Sequence, residues 1–339
     1  MDAERHGRSE QAEGRSSGSL RRNSQTCLII KQLHCMPIEK QLWIAMLKEG
    51  FIPSTSFLSR SVDMSEFVEY NKINLAEAGV DPKVLVDNTN FPIASAQRTD
   101  TPLELPLHTF DTENTIVRNI EEKESAYKKM ESVVRAHRNA LNRQTASFAA
   151  NNWAPSKNAD MTPVRATTGA PNASGQKALS FEDILQLRSW FTGRDVPVDS
   201  LVLVLNAIHE ADLLAEDMKL FKEMMASGKI WGISTYTSSV LPYYTAATGV
   251  KKAYGAAVTE DTDTQASLMY CDTEVMRAMG TTEVFAKYKD PEQRGDILGY
   301  QQRFTALPIR GKYTAALYSE KAEASVNSTD SGSEEETGK

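Results

Sequence analysis

Apolar and polar positions along this chain alternate with different periods, and the clearest period is helical. Ile120, Tyr127, Val134, Leu141 and Phe148 fall on a seven-residue step, with Met130 and His137 three residues after two of them. That spacing lines one face of an α-helix and predicts a single helix from Asn119 to about Asn152, a rod of roughly 50 Å. Asn119 with Glu122 three residues on supplies a capping-box start. His137 and Gln144 occupy d-like places, a pattern that suits packing on a sheet better than a two-stranded zipper.

The stretch ahead of this helix reads differently. Short helices are predicted at Gln41–Leu47 and Met64–Tyr70, and Pro82 to Val117 is mostly extended. Val84–Val86, Phe91–Ala94 and Leu103–Phe110 read as strands broken by turn residues and prolines. Prolines in strand-like runs point to edge strands or a projecting hairpin, which needs a partner surface for its apolar positions.

Behind the helix, a connector rich in Ser, Asn, Thr, Gly and Pro runs from Ser156 to Gln176. Ser180 and Asp183 form a capping box for a helix from Phe181 to Trp190. Ser200–Leu205 is apolar and β-branched throughout, a strand buried on both faces. A helix from Glu210 to Met225 follows, closed by Gly228, and then a strand at Ile230–Tyr236. A helix at Thr273–Met279 and sheet-like sequence from Ile297 to Tyr318 complete an α+β pattern, with strand–helix–strand as its best-defined unit.

Composition narrows the function. The chain has 339 residues and a formal charge of -7, which argues against a general nucleic-acid binder. No run of about 20 apolar residues is present, so no helical membrane span is predicted. Cys27, Cys35 and Cys271 have neither metal spacing nor a disulfide framework, which fits synthesis in a reducing cytoplasm. Residues 1–35 are rich in Arg, Ser, Gly and Gln, but Asp2, Glu4, Glu10 and Glu13 fit a transit peptide poorly. They read as an N-terminal extension, disordered or created by an upstream start, with Met36 as the alternative beginning. Ser325 to Lys339 reads as a solvated acidic tail.

Candidate chemistry is thin, and no catalytic, cofactor-binding or metal residue is predicted. His209-Glu210 begins like a zinc-protease motif but lacks the second His, so His209 reads as a surface or satisfied core residue. Gly169 to Lys177 lacks the Gly-Lys-Ser/Thr ending of a phosphate loop and reads as a flexible connector. Cys271 beside Asp272 reads as a buried small residue rather than a nucleophile. Glu260 to Asp263 lacks a full calcium ligand series and reads as an acidic loop. Lys128, Lys129, Arg135, Arg138 and Arg143 give the long helix a basic face. That face either meets packaged genome or a neighbour's acidic loop, or is a solvated side paired in part with Glu121, Glu124 and Glu131, the reading preferred here. Trp231, Tyr243 and Tyr244 fit contact anchors or core residues equally well.

The order of parts resembles a tailed-bacteriophage major capsid protein of the Hong Kong 97-type shell fold. Local strings carry the resemblance over about Met36 to Glu320. Trp43 through Ile52-Pro53-Ser54-Thr55-Ser56-Phe57-Leu58 is similar to the amino-terminal region of capsid proteins in phages and prophages of gut bacteria. So are Asn74 to Pro82 and Asp111-Thr112-Glu113-Asn114-Thr115, while Gly299 to Phe304 through Ala316-Leu317 resembles the closing strands. The resemblance implies an N-terminal arm over 36–80 and an extended loop over 81–112. A peripheral domain with the spine helix would span 113–199, an axial domain 200–280 and strands returning to the peripheral domain 281–320, with a tail over 321–339.

It further implies a non-enzymatic protein, without cofactor or metal, that self-assembles through pentamers and hexamers into an icosahedral head shell around the phage genome. Implied partners are scaffold, portal and decoration proteins and non-specifically contacted double-stranded DNA, with no membrane. The implied place is the virion capsid, after synthesis in the bacterial host cytoplasm. No residue pair for covalent crosslinking between subunits is carried over. The alternatives are an encapsulin-like cellular shell around an enzyme cargo and a cytoplasmic α+β enzyme.

Overall fold

The computed structural model describes residues 44, 45, 47, 56–69, 72–77, 101–118, 123–293 and 295–321. At 74–77, 101–104, 118, 123–130 and 289 the description is of the backbone alone. The strands expected at Val84–Val86 and Phe91–Ala94, the Asn119–Glu122 capping pair, residues 1–35 and the tail lie outside it. The chain divides into two units, Met1–Glu49 and Gly50–Lys339. In the first, Ile44, Ala45 and Leu47 are helical, inside the helix expected at Gln41–Leu47.

The second unit carries the described sheets. In chain order it contains β1 (Val62–Asp63), β2 (Val68–Glu69), β3 (Lys72–Glu77), β4 (Thr101–Pro106), β5 (His108–Asp111) and β6 (Thr115–Arg118). Helix α1 (Lys123–Trp153) leads to β7 (Val164–Ala166), α2 (Phe181–Thr192), β8 (Leu201–Leu205), α3 (Ala207–Glu216) and α4 (Met218–Ser227). Next come β9 (Lys229–Ile230), β10 (Ile233–Thr237), β11 (Tyr243–Thr245), β12 (Asp263–Gln265) and β13 (Ser267–Cys271). The long strands β14 (Val275–Asp290) and β15 (Gly295–Pro308), then β16 (Thr314–Tyr318), complete the described chain.

Helix α1 is a 31-residue rod, and from Val134 to Phe148 the predicted stripe is its inner face. Val134, His137, Leu141 and Phe148 are buried, while Gln144 is exposed. The rod packs along β15 and is pinned at its end. Asn152 Nδ2 donates to the Ala306 carbonyl at 3.0 Å, and Trp153 Nε1 to the Met276 carbonyl at 3.2 Å. Its partner is the β14–β15 hairpin, antiparallel from Val275↔Pro308 to Asp290↔Gly295 with two register shifts. The other edge of β15 takes β6 over Gly295–Leu298 and β5 over Gln301–Phe304.

A six-stranded sheet runs β7-β16-β13-β8-β10-β9. Alternate residues of β8 feed two cores. Val202 and Val204 face Trp153, Tyr244 and Tyr270, while Leu201, Leu203 and Leu205 face Leu213, Phe221 and Met224 of α3 and α4. The strand is buried at all five positions, as expected for one covered on both sides. Strands β8 and β10 are parallel and joined through α3 and α4, the expected strand–helix–strand crossover.

Four local expectations need correction. Residues from Thr273 are not helical: Val275–Met279 opens β14, paired with β15 on one side and, at Met276 and Arg277, with β1 on the other. The Met/Ala/Arg composition favours helix weakly, and a ladder to β15 at every residue, with a two-residue pairing to β1 on the other edge, outweighs it. The helix expected over Glu210–Met225 is two helices. Asp217 leaves helical geometry (φ -145°, ψ 98°), and its carboxylate caps α4 by accepting from Lys219 N at 2.8 Å and Leu220 N at 3.1 Å.

The segment at Met64–Tyr70 is a 3₁₀ turn, Ser65–Phe67, leading into β2. The connector after α1 is fastened rather than flexible. It contributes β7 to the sheet, Thr168 binds Asp183 through backbone N and Oγ1, and Asn172 Nδ2 reaches Asp212 at 3.1 Å. The Ser180–Asp183 capping box of α2 forms as predicted, and Gly228 closes α4 in the left-handed region (φ 66°).

Candidate functional site

The residues that most invite a chemical reading are buried and fully engaged. His209 is 1% exposed, one turn into α3, and its backbone N–H donates to the Asn206 cap at 2.6 Å. Its ring lies between two hydroxyls, Nδ1 at 2.7 Å from Ser267 Oγ and Nε2 at 2.9 Å from Ser319 Oγ. Ser267 Oγ also accepts from Asn206 N at 3.1 Å. Ser319 lies 3.5 Å from Thr167 Oγ1, whose proton goes to the Lys177 carbonyl at 2.7 Å. Buried between hydroxyls with no carboxylate on either ring nitrogen, the imidazole is neutral. Burial pulls its pKa down to about 4, against a small opposing pull from the Asp183 carboxylate. His209 is therefore a satisfied core histidine that joins α3, β13, the end of β16 and the connector.

The other candidates separate in the same way. Cys271 ends β13, buried, with Sγ 3.2 Å from Thr273 Oγ1. Asp263 of the acidic loop accepts from Lys252 Nζ at 2.6 Å and Thr259 N at 2.8 Å, which holds its carboxyl below the usual range. Among the described residues, no group of three or more His, Cys, Asp or Glu side chains is placed to hold a metal ion. No described helix is long and apolar enough to cross a membrane.

Tyr244 is a core residue that donates to the Pro155 carbonyl, whereas Tyr243 is half-buried. Trp231 stands exposed at the tip of the β9–β10 hairpin with φ 47°, edge-on to Phe181. On α1, Arg135 pairs with Glu131 at 3.3 Å, one turn away, in line with a solvated basic side.

What remains are surfaces. A groove of about 650 Å³ lies between α1 and the β5–β6 turn, lined by Phe110, Thr112, His137, Leu141 and Gln144 among others. A second cavity of about 340 Å³ separates α1 from the Ala253–Val258 loop, with Arg143, Ser147 and Asn151 on its helical wall. At the end of α1, Lys251 Nζ donates to the carbonyls of Asn151 and Ala154, each at 2.6 Å, where the helix dipole is negative. Burial lowers the Lys251 pKa to about 8.

Sequence reasoning missed one anchoring group. Arg277 Nη1 donates to the Leu58 carbonyl (2.6 Å), the Ser61 carbonyl (3.0 Å) and Ser61 Oγ (2.8 Å), while Nη2 reaches Asp63 at 3.1 Å. Arg60 joins Asp272 at 3.0 Å. These bonds clasp residues 58–63 onto β14, across more than 200 residues of sequence that carry no local signal of it.

No family model matches the sequence, and no curated protein matches it. Solved structures do. The capsid of Ralstonia phage GP4 superposes with a TM-score of 0.54 at 10% identity, covering 80% of this chain and 90% of that one. A structure from Mycobacterium phage Che8 gives 0.51 at 16% identity, over 78% and 91%. A virus-like particle from Pyrococcus furiosus gives 0.50 at 10% identity, over 82% and 99%. Over about four-fifths of its length, the chain has the α+β fold of the Hong Kong 97-like capsid type.

Proposed function

We propose that this chain is the major capsid subunit of a tailed phage or integrated prophage, a structural, non-enzymatic protein that assembles into the icosahedral shell around the genome. What supports the reading is the extent of the likeness. About nine-tenths of each of the two phage chains is matched by a chain whose candidate catalytic groups are buried and satisfied.

In this reading residues 36–80 form the N-terminal arm, and 81–112 the extended loop lying over a neighbouring subunit. Residues 113–199 form the peripheral domain with α1 as its spine, and 200–280 the axial domain. Residues 281–320 return to the peripheral part, and 1–35 and 321–339 are extensions. The subunit is made in the host cytoplasm and resides in the virion. Its partners are further copies in pentamers and hexamers, with scaffold, portal and decoration proteins and non-specific contact to double-stranded DNA.

The test is a deletion of residues 81–100. The shortened subunit is expected to keep its circular dichroism spectrum and melting transition but to form no fast-sedimenting particles. Particles like those of the intact chain would remove the extended-loop assignment. A cellular shell around an enzyme cargo is the second reading, less supported than the first, since one match outside the capsids, a virus-like particle from Pyrococcus furiosus, fits a shell of either kind. Neighbouring genes separate the two: portal, protease and terminase beside a capsid gene, a cargo enzyme beside a cellular shell.

A further inference from the structure

The groove between α1 and the β5–β6 turn has an unsatisfied floor. His137 lines it, is 6% exposed, and its Nε2 has no hydrogen-bond partner. The ring rests on Tyr300 of β15, with centroids 5.1 Å apart. The Tyr300 hydroxyl, on a residue 1% exposed, has no partner either. Buried polar side chains are paired as a rule, so two unpaired ones in contact beside an open groove call for an explanation.

The rest of the lining says what chemistry fits. Phe110, Ala136, Ala140 and Leu141 supply apolar wall, and the two charged lining residues, Asp111 and Glu113, are both carboxylates. Asp111 Oδ1 accepts from Gln301 Nε2 at 2.7 Å, which leaves its second oxygen available. Glu113 is exposed and has no ion pair or hydrogen bond among the described residues. The neighbouring cations are turned elsewhere. Arg143 lines the second cavity, Arg135 pairs with Glu131, and Arg138 and Arg303 have partners of their own.

Both acids sit on a fastened turn. Thr112 N donates to the Tyr300 carbonyl and Tyr300 N to Thr112 Oγ1, each at 2.9 Å. The turn lies so close over Gly299 that a Cβ there would overlap Asn114 Oδ1. Carboxylates held in place in this way lose little freedom when they meet a ligand. An anion would also satisfy the floor, by accepting from the hydroxyl and the ring, but it would have to pass both carboxylates. An ammonium carries three donors and no acceptor, and the same carboxylates attract it.

We propose that this groove is a binding site for a primary alkylammonium group, entered head first. The ammonium donates to His137 Nε2, with the ring in its Nδ1–H form, and lies under the attraction of Asp111 and Glu113. The alkyl chain lies along Phe110 and Leu141. A free aliphatic amine and the lysine side chain of another protein share this chemistry. The site does not depend on the shell reading, because every element of it belongs to one chain.

Titration of the unassembled chain with n-butylamine tests it, with n-butanol and butyrate as probes of the same length. The readouts are calorimetry and the ring signals of the five histidines by NMR, with His137→Phe identifying the one that matters. Butylamine is expected to bind saturably and to move the His137 signal, and the other two probes to do neither. Glu113→Gln, at an exposed position, should leave the melting temperature unchanged and weaken butylamine binding at least about threefold, as added salt should. Nα-acetyl-lysine N-methylamide separates the sources: tighter binding than butylamine assigns the site to a protein's lysine, weaker binding to a free amine. Equal binding of butanol or butyrate, an unmoved His137 signal, or undiminished binding by Glu113→Gln overturns the proposal. None of these outcomes bears on whether the chain forms particles, so the two readings fail separately.

Discussion

Acidification should weaken the subunit through one side chain, His209, in a window fixed by its burial. In the unfolded chain the imidazole titrates near 6.5. In the folded chain, with both ring nitrogens committed to Ser267 and Ser319, burial lowers the pKa to about 4. The folded state therefore disfavours the proton. The stabilisation is fully present above about pH 6.5, declines as the pH falls and is lost below about pH 4.

The fall from 6.5 to about 4, at about 1.4 kcal/mol per pH unit, makes the full loss about 3.5 kcal/mol, with about 2 kcal/mol already gone at pH 5. Equilibrium urea unfolding of the unassembled subunit at pH 7, 6, 5 and 4 measures it, with His209→Gln as the comparison. Glutamine keeps hydrogen-bonding capacity towards the two serines but does not titrate. The lowered pKa of His137 and the paired carboxylates contribute equally to both proteins and cancel. The wild type should lose about 2 kcal/mol more than the variant between pH 7 and pH 5. Parallel pH profiles would refute the reasoning and mean that the ring finds room for a second proton.

Two further substitutions test the packing. Arg277→Ala removes four donated bonds to residues 58–63 and should cost about 2–3 kcal/mol, with amide exchange at Phe57–Asp63 rising sharply. Unchanged protection there would show that the clasp does not hold the segment. Gly228→Ala places a Cβ at φ 66° in open space, so its cost is backbone strain alone, about 1 kcal/mol, seen as a few degrees in melting temperature. A loss several times larger would mean that the turn is coupled to the β9–β10 hairpin.

The parts of this fold legible in sequence are those whose cause is local. The stripe through Val134, Leu141 and Phe148 repeats within one helix, the Ser180–Asp183 box spans four residues, and β8 is apolar at every position. The errors arise where distant partners decide. Val275–Met279 becomes a strand because β15 and β1 offer ladders on both edges, and its own composition contains no trace of them. Strand β7 emerges from a polar connector because β16, some 150 residues later, supplies its partner.

The break at Asp217 was locally encoded, since an aspartate two residues before Lys219 is a cap, but a continuous apolar pattern hid it. For His209 the hydroxyls that satisfy the ring lie 58 and 110 residues away. Sequence could therefore exclude a metal motif but could not place the hydrogen-bonded chain.

The central claim, that this chain builds a closed shell, is tested most directly by electron microscopy of the protein expressed from Met36, with sedimentation on the same sample. Closed particles of uniform size, or five- and six-membered rings, are the predicted result. A single small oligomer, even with a scaffold supplied, would contradict it.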